Sequence, residues 1–400
     1  MAARTLQEAY QACGEDLSNK EAFLKYYIAR ENGASLELIQ RMLMDKRPVK
    51  ALLAGQRGAG KTVELMRVVH DTGPSMTPLY IRISPPSPQP SPQEIMLLLA
   101  RGICERLAES GAPPSEASVR GFTRWLRETI RGPLEERTDL KGAADMLGRA
   151  MERARNKETR TELVGALEGG RDELAGRLTE MVKDAGTRNG KEPLLILDGI
   201  DNMEKGAAVQ FLLESGLIRL GIKAISTIPF ATLHSQDYRK LRQAYDMISV
   251  QAPAELAPGA LALREGSALE LRDIVDKRAG EELFELPALD LLLLNSGGSP
   301  GELLRFTAAS CLRASIQGRS RITASVVERV LEDYRREMRR LLSPEEWQRL
   351  ARVNLEKGSP VDAVLDSLLD LGAVIEYFGK GETFMVHPAL QPLLREKGTG

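Results

Sequence analysis

Eight consecutive residues, Gly55-Gln56-Arg57-Gly58-Ala59-Gly60-Lys61-Thr62, carry the most specific chemistry in this chain of 400 residues. They match in full the glycine-rich pattern G-x-x-x-x-G-K-[ST] of a phosphate-binding loop. Glycines there let backbone amides turn inward toward phosphate oxygens, where side chains would block the approach. Lys61 can set its ammonium between terminal phosphates, and the Thr62 hydroxyl can ligate magnesium. The nucleotide-contacting set is therefore Gly55, Gln56, Arg57, Gly58, Ala59, Gly60, Lys61, Thr62 and Val63. Arg57 either contacts the nucleotide or faces water.

Such a loop needs a second acidic site for the metal. Leu194-Leu195-Ile196-Leu197-Asp198 supplies one, four apolar residues delivering a carboxylate to a strand end. In open α/β sheets that edge is where ligands bind. Asp198 is expected to hold magnesium, mostly through water. Asp201 follows three residues later and can orient or deprotonate an attacking water. Its alternative role is a helix N-cap. Thr227 ends a further strand and can feel a terminal phosphate, or be a plain strand-end hydroxyl; Ser226 alternates away from it. Arg239 and Arg242 precede the next strand. Either can serve as an arginine finger toward a neighbouring subunit, or be a solvated surface side chain.

These groups need a sheet and its connecting helices to place them. Val49–Ala54 reads as a buried strand and Thr62–Val69 as the helix after the loop, which points its positive N-terminal end at the same anion. Leu79–Ile83, Leu194–Leu197, Ile222–Thr227 and Met247–Val250 read as further strands. Alternation with helices argues for a parallel, doubly wound sheet. The proline-rich run over 85–90 cannot be regular structure. Ser91-Pro92-Gln93-Glu94 carries three agreeing helix-start signals, a cap, a first-turn proline and a capping box, for a helix reaching about Glu109. Residues 113–190 read as helices only. Leu163, Leu167, Leu174, Leu178 and Met181 form one apolar face, either of an insertion packed on the sheet or of an interaction arm. Gly165, Gly169 and Gly170 weaken a long rigid helix there.

Four stretches follow: a helical segment over 1–47, a nucleotide-binding core over 48–259 with the insertion 113–190, a helical lid over 260–342, and a C-terminal domain over 343–400. Ser343-Pro344-Glu345-Glu346 opens the last, which continues as helix, helix, strand Ala373–Tyr377, turn Phe378–Gly381 and strand Glu382–Val386. That is the pattern of a winged-helix domain.

Composition limits the alternatives. Apolar residues make up 42%, enough to form a core, and charged residues 28% with a net charge of −1, which predicts no global attraction to nucleic acid. Aromatics at 4% argue against a base-stacking platform. Cys13, Cys104 and Cys311 read as reduced core residues, and with three scattered histidines no zinc site is legible. No apolar run is long enough for a membrane span, and no apolar leader opens the chain, so a cytoplasmic protein is expected.

The ordered set of the phosphate loop, Asp198-Gly199-Ile200-Asp201, Ile225-Ser226-Thr227-Ile228-Pro229, and Ser296-Gly297-Gly298-Ser299-Pro300-Gly301-Glu302-Leu303-Leu304-Arg305 resembles bacterial AAA+ ATPases related to the origin-recognition, KAP and STAND groups. The resemblance spans roughly residues 45–390. It implies an α/β fold, an AAA+-like P-loop parallel sheet with helical insertion, helical lid and C-terminal winged helix. It also implies ATP and Mg2+ as ligands and a catalytic set of Lys61, Asp198, Asp201, Thr227 and Arg242. Two positions depart from it. Gly199 stands where many relatives carry a glutamate, which shifts the base to Asp201. Gly301 stands where the lid usually carries an arginine, the next being Arg305. Both departures point to slow hydrolysis.

The function so implied is a regulatory ATPase, a nucleotide-dependent switch that assembles with itself or with a protein effector in bacterial signalling or defence. The alternative is a DNA-bound ATPase of the initiator or transposition-regulator kind. Residues 345–400 hold six Lys and Arg against nine Asp and Glu, the wrong sign for strong phosphate contact. Arg335, Arg336, Arg339 and Arg340 form the best basic candidate, the alternative being a solvated face paired with Glu332 and Glu337.

Overall fold

The computed structural model describes residues 2–84, 90–111, 113–130, 139–255, 264–353, 361–378 and 382–397. Residues 85–89 of the proline-rich run, the last four residues of the core segment 48–259 and residues 379–381 of the turn lie outside them. The chain divides into two compact units, one of residues 35–54 and 67–250, the other of residues 1–34, 55–66 and 251–400.

The first of these units is built on a five-stranded parallel sheet: β1 Lys50–Ala54, β2 Met76–Arg82, β3 Glu192–Asp198, β4 Lys223–Thr227 and β5 Met247–Val250. Their order across the sheet is β2-β3-β4-β1-β5, every pair parallel. This is the α/β parallel-sheet class expected. β1 is buried along its whole length, as a strand covered on both faces must be. Because all strands run one way, Asp198 and Thr227 end up on the same sheet edge, the carboxyl edge.

Two lysines sit inside this sheet. Lys50 Nζ donates to the carbonyls of Leu220 and Ile222, and Lys223 Nζ to Met42 O at 2.8 Å and to Glu192 at 2.7 Å. Burial pulls the Lys50 pKa down to about 8, with the Asp246 carboxylate opposing.

Among the described residues, four helices lie between β2 and β3: Pro92–Glu109, Glu116–Thr129, Leu140–Arg153 and Lys157–Asn189. Ser91 and Glu94 close the capping box at the first, with Ser91 N–H donating to Glu94 at 2.7 Å. Leu163, Leu167, Leu174, Leu178 and Met181 are all buried in one core with sheet residues Leu79, Ile81, Leu195 and Leu197. The apolar face therefore packs inward, as an insertion on the sheet. The glycines do not break the last helix, which runs for 33 residues. At Gly170 the reason is visible: an added methyl would sit 3.1 Å from Trp125 Cζ2, so the missing side chain lets the indole pack against the helix.

In the second unit, helices Glu265–Ala279, Leu286–Asn295, Pro300–Ile316 and Ala324–Leu341 follow one another, with helix Leu6–Gly14 packed on Pro300–Ile316. Val326, Val327, Val330, Leu331, Tyr334 and Met338 recur at three- and four-residue steps and are buried. Helices Pro344–Val353 and Ala363–Asp370 lead into an antiparallel hairpin, β6 Val374–Phe378 and β7 Glu382–Val386. Cys13, Cys104 and Cys311 are buried thiols. Among the described residues, no helix is long and apolar enough to cross a membrane.

Candidate functional site

The chain leaves β1 at Ala54 and enters the phosphate loop directly. Gly58 has φ +80° and Gly60 φ +99°, conformations that side-chain-bearing residues rarely adopt. Ala59 N–H closes a turn onto Gln56 O at 3.1 Å, and Glu64 N–H bonds Gly60 O at 3.0 Å to start helix Lys61–Thr72. Amides in a helix's first turn have no partner within the helix and suit an anion. Lys61 Nζ folds back over the loop, donating to Gly55 O at 2.7 Å and Gln56 O at 3.2 Å. Over Gly60 there is room: an added methyl would meet nothing closer than Arg30 Nη1 at 3.9 Å. Arg57 is exposed. The Val63 side chain packs against Ala12, Leu17, Ala22 and Tyr26, which leaves only its backbone for a ligand.

Arg30 was not singled out by the sequence. It is buried and holds the loop from behind, donating to Ala59 O at 2.9 Å and Ala252 O at 3.1 Å. Burial holds its pKa below the ordinary arginine value, against the opposing pull of Glu64 and Glu270. A buried guanidinium adjoining a phosphate loop adds favourable potential for an anion. Nothing in local spacing marks it, because its partners are distant backbone carbonyls.

The turn 296–301 packs on the loop's other side. Gly297 has φ +62° and Gly298 φ +78°. Ser299 caps helix Pro300–Ile316 through Glu302 N–H at 3.3 Å, with Pro300 in the first turn. Gly301 N–H donates to Gly58 O at 2.9 Å, and a methyl on Gly58 would lie 2.6 Å from Ser299 Oγ. This accounts for the glycine at 301. Arg305 is occupied elsewhere, paired with Glu302 and lying 4.8 Å over the rings of both Phe306 and Tyr334.

The hairpin reaches the same loop. Gln56 Nε2 donates to Val374 O at 3.0 Å, and Gln56 Oε1 accepts from Glu376 N–H at 2.9 Å. Tyr377 OH donates to Gly297 O at 2.8 Å. His387 follows β7, fully buried, its Nδ1 accepting from Ala389 N–H at 3.2 Å. Burial pulls its pKa down to about 4.

In the sheet-bearing unit, Asp198 is buried at the end of β3, and Tyr80 OH donates to its Oδ2 at 2.7 Å. That bond orients the carboxylate from the neighbouring strand, as supporting groups do for metal ligands. Gly199 has φ +96°, and a methyl there would lie 2.4 Å from Ile83 O. A glutamate cannot occupy this position without moving Ile83, the residue that follows β2. Thr227 is wholly buried and its Oγ1 accepts from Gly199 N–H and Ile200 N–H at 3.1 Å and from Asp201 N–H at 3.4 Å. Its hydroxyl thus holds the turn after Asp198. Asp201 lies within the short 3-10 turn Ile200–Asn202 and is half-buried. It is not the helix cap: Glu204 caps helix Lys205–Glu214, accepting from Gly206 and Ala207 N–H. Arg239 and Arg242 are exposed on helix Asp237–Ala244, and Arg242 lines a surface hollow with Arg41, Asp45 and Asp246. Asp246 immediately precedes β5 and accepts from Lys50 N–H at 2.9 Å at the start of β1. Arg242 is therefore at the amino edge of the sheet, opposite the Asp198 edge.

On helix Ala324–Leu341, Arg335 donates to Ala389 O at 2.7 Å and pairs with Glu328, and Arg336 pairs with Asp333. Arg335 and Arg336 of the basic stripe are thus engaged within the protein.

The donor set fits a phosphate anion: two turned glycines, open space over Gly60, a lysine on the loop and first-turn amides. Thr62 and Asp198 carry hard oxygen atoms of the kind magnesium takes.

No family model and no curated protein matches this chain. Among solved structures it is similar to Cdc6p from Pyrobaculum aerophilum, at 14% identity over 95% of this chain and 98% of that one, TM-score 0.43. It is similar to the RuvB Holliday junction branch migration motor of Thermotoga maritima, at 14% identity over 94% of each chain, TM-score 0.40. It is also similar to a chain of Drosophila ORC bound to DNA, at 12% identity over 99% of this chain and 92% of that one, TM-score 0.40. Likenesses this distant leave the chemistry to be argued from the residues themselves.

Proposed function

We propose that this protein is an ATP-binding, slowly hydrolysing regulatory ATPase of the AAA+/STAND-like kind, a nucleotide-dependent switch that assembles with itself or with a protein effector in bacterial signalling or defence. The observation that carries the reading is the phosphate loop, with Gly58 and Gly60 at positive φ, Lys61 folded over it, and the turn 297–301 and hairpin bonded to it. Lids and loops held around a terminal phosphate are the usual hardware of such switches.

In this reading the loop amides and Lys61 bind the phosphates. Thr62 and Asp198 hold magnesium, with Tyr80 orienting Asp198. A bound magnesium ion supplies charge neutralisation for phosphoryl transfer. Asp201 positions or deprotonates the attacking water, and Thr227 holds the turn that presents Asp201. The absence of a carboxylate at 199 and of an arginine at 301 supports slow turnover. Arg242, exposed on the sheet's amino edge, would act on a neighbouring copy.

The test is nucleotide affinity, measured with fluorescent ADP and ATP analogues. Lys61→Ala should weaken it by a few kcal/mol, the range for losing a charged hydrogen-bond donor. Unchanged affinity in Lys61→Ala would refute the assignment of the phosphate site.

A further inference from the structure

We propose that Gln56 is a positioning residue whose side chain ties the phosphate loop to the β6–β7 hairpin, so that nucleotide binding and hairpin seating strengthen one another. The inference rests on the nucleotide reading above.

The residue faces two ways. Its backbone carbonyl is the corner of the loop's first turn, accepting from Ala59 N–H at 3.1 Å and from Lys61 Nζ at 3.2 Å. Its side-chain amide meets the Val374 carbonyl at 3.0 Å and the Glu376 N–H at 2.9 Å. A carbonyl and an amide two residues apart on one strand are the pair that a neighbouring strand would take. Here a single side chain takes both, and closes an edge of β6 that would otherwise present unpaired backbone groups. The chemistry also settles the amide's orientation, since nitrogen must face the carbonyl and oxygen the N–H.

Gln56 is 7% exposed, so parting it from the hairpin strands buried polar groups on both sides. A second tie runs between the same loop and hairpin without using Gln56. Gly301 N–H bonds Gly58 O, and Tyr377 OH bonds Gly297 O at the other end of the same short turn. With two ties, the loop cannot lose its turn without disturbing β6. The side chain also leaves the loop interior clear, because its bonds point to the hairpin. A seated hairpin therefore holds the loop ready for phosphate, and by thermodynamic reciprocity phosphate must stabilise the seated hairpin by the same factor.

The experiment uses the full chain with ADP as probe. Hydrogen–deuterium exchange is followed in the peptide covering Val374–Phe378, alongside ADP affinity. In the unsubstituted protein, ADP should slow exchange of β6 about 5- to 30-fold, the factor that 1–2 kcal/mol represents. Gln56→Met keeps the size and removes both bonds. It should speed β6 exchange without nucleotide, weaken ADP binding by a similar factor, and abolish the slowing by ADP. Gln56→Glu keeps the acceptor for Glu376 N–H but sets an oxygen against the Val374 carbonyl, and should act in the same direction. Unchanged β6 exchange in both variants would overturn the proposal. So would a rise spread evenly over the chain, which marks Gln56 as a packing residue, or faster β6 exchange with ADP bound. If the unsubstituted chain binds no ADP, the nucleotide reading fails and takes the coupling with it. ADP binding without the exchange response sinks the coupling alone.

Discussion

Gly301 meets Gly58 backbone to backbone: its N–H donates to the Gly58 carbonyl at 2.9 Å, and a methyl on Gly301 would lie 2.6 Å from the Gly58 α carbon. Any side chain at 301 must therefore push the phosphate loop. Gly301→Ala should cost about 1–3 kcal/mol in urea unfolding, the range for overpacking a close contact, and weaken ADP binding in parallel. Gly301→Arg should be worse on both counts, because its side chain is larger still. An arginine variant with wild-type stability and faster turnover would show that the loop yields and that position 301 can sense phosphate.

The turn after Asp198 makes a paired prediction. Gly199→Glu should not accelerate hydrolysis. Its backbone must keep φ +96° with a side chain 2.4 Å from Ile83 O, and the left-handed conformation alone costs about 1–2 kcal/mol. Asp201→Asn should retain nucleotide binding and lose turnover by about a hundredfold or more, as expected for a positioned base. Should Asp201→Asn lower only the melting temperature, with turnover intact, its role is to hold the turn.

Arg242 lies away from its own chain's Asp198 edge, so any action on a phosphate must be on another copy's. Light scattering over a concentration series should give a larger species with a slow ATP analogue than without. Specific ATPase rate should rise with protein concentration, and Arg242→Ala should cut turnover while sparing nucleotide affinity, with Arg239→Ala the back-up. A monomer throughout, with a concentration-independent rate, leaves a self-contained switch.

His387 predicts a pH dependence of stability. Burial lowers its pKa from 6.5 to about 4, so the folded protein keeps the ring neutral where the unfolded chain takes up a proton. The folded-state preference is fully present above pH 6.5 and is lost as pH falls toward 4, at about 1.4 kcal/mol per pH unit. Urea midpoints from pH 7 to 4.5 should fall less steeply in His387→Leu than in the unsubstituted chain. Equal slopes would mean that the folded ring takes up its proton over the same pH range as the unfolded chain.

What could be read from the sequence was whatever is contiguous. The phosphate loop is eight adjacent residues, and β3 announces itself as four apolar residues before a carboxylate. The capping box at Ser91 and Glu94 is likewise a local pattern, and it forms. Contacts between distant residues were not legible. Nothing near Gly199 reveals that Ile83 O occupies the space of its missing side chain, and nothing near Gln56 reveals β6, more than three hundred residues on. The glycines at 165–170 suggested a weak helix because their spacing does not show Trp125 packing against Gly170. Thr227 was legible as a strand end, but its hold on three amides depends on β3 and β4 lying side by side.

The order of the sheet also bears on how the chain is made. β1 is synthesised well before both its neighbours, β4 and β5, which begin only at Lys223 and Met247. Until then an apolar segment, Ala51-Leu52-Leu53-Ala54, has no strand beside it on either flank. Pairings this distant in sequence close slowly, and unpaired apolar strands in nascent chains invite misassociation. Premature termination between β3 and β4 should therefore yield insoluble fragments, and this unit should be a client for chaperones that hold chains on the ribosome.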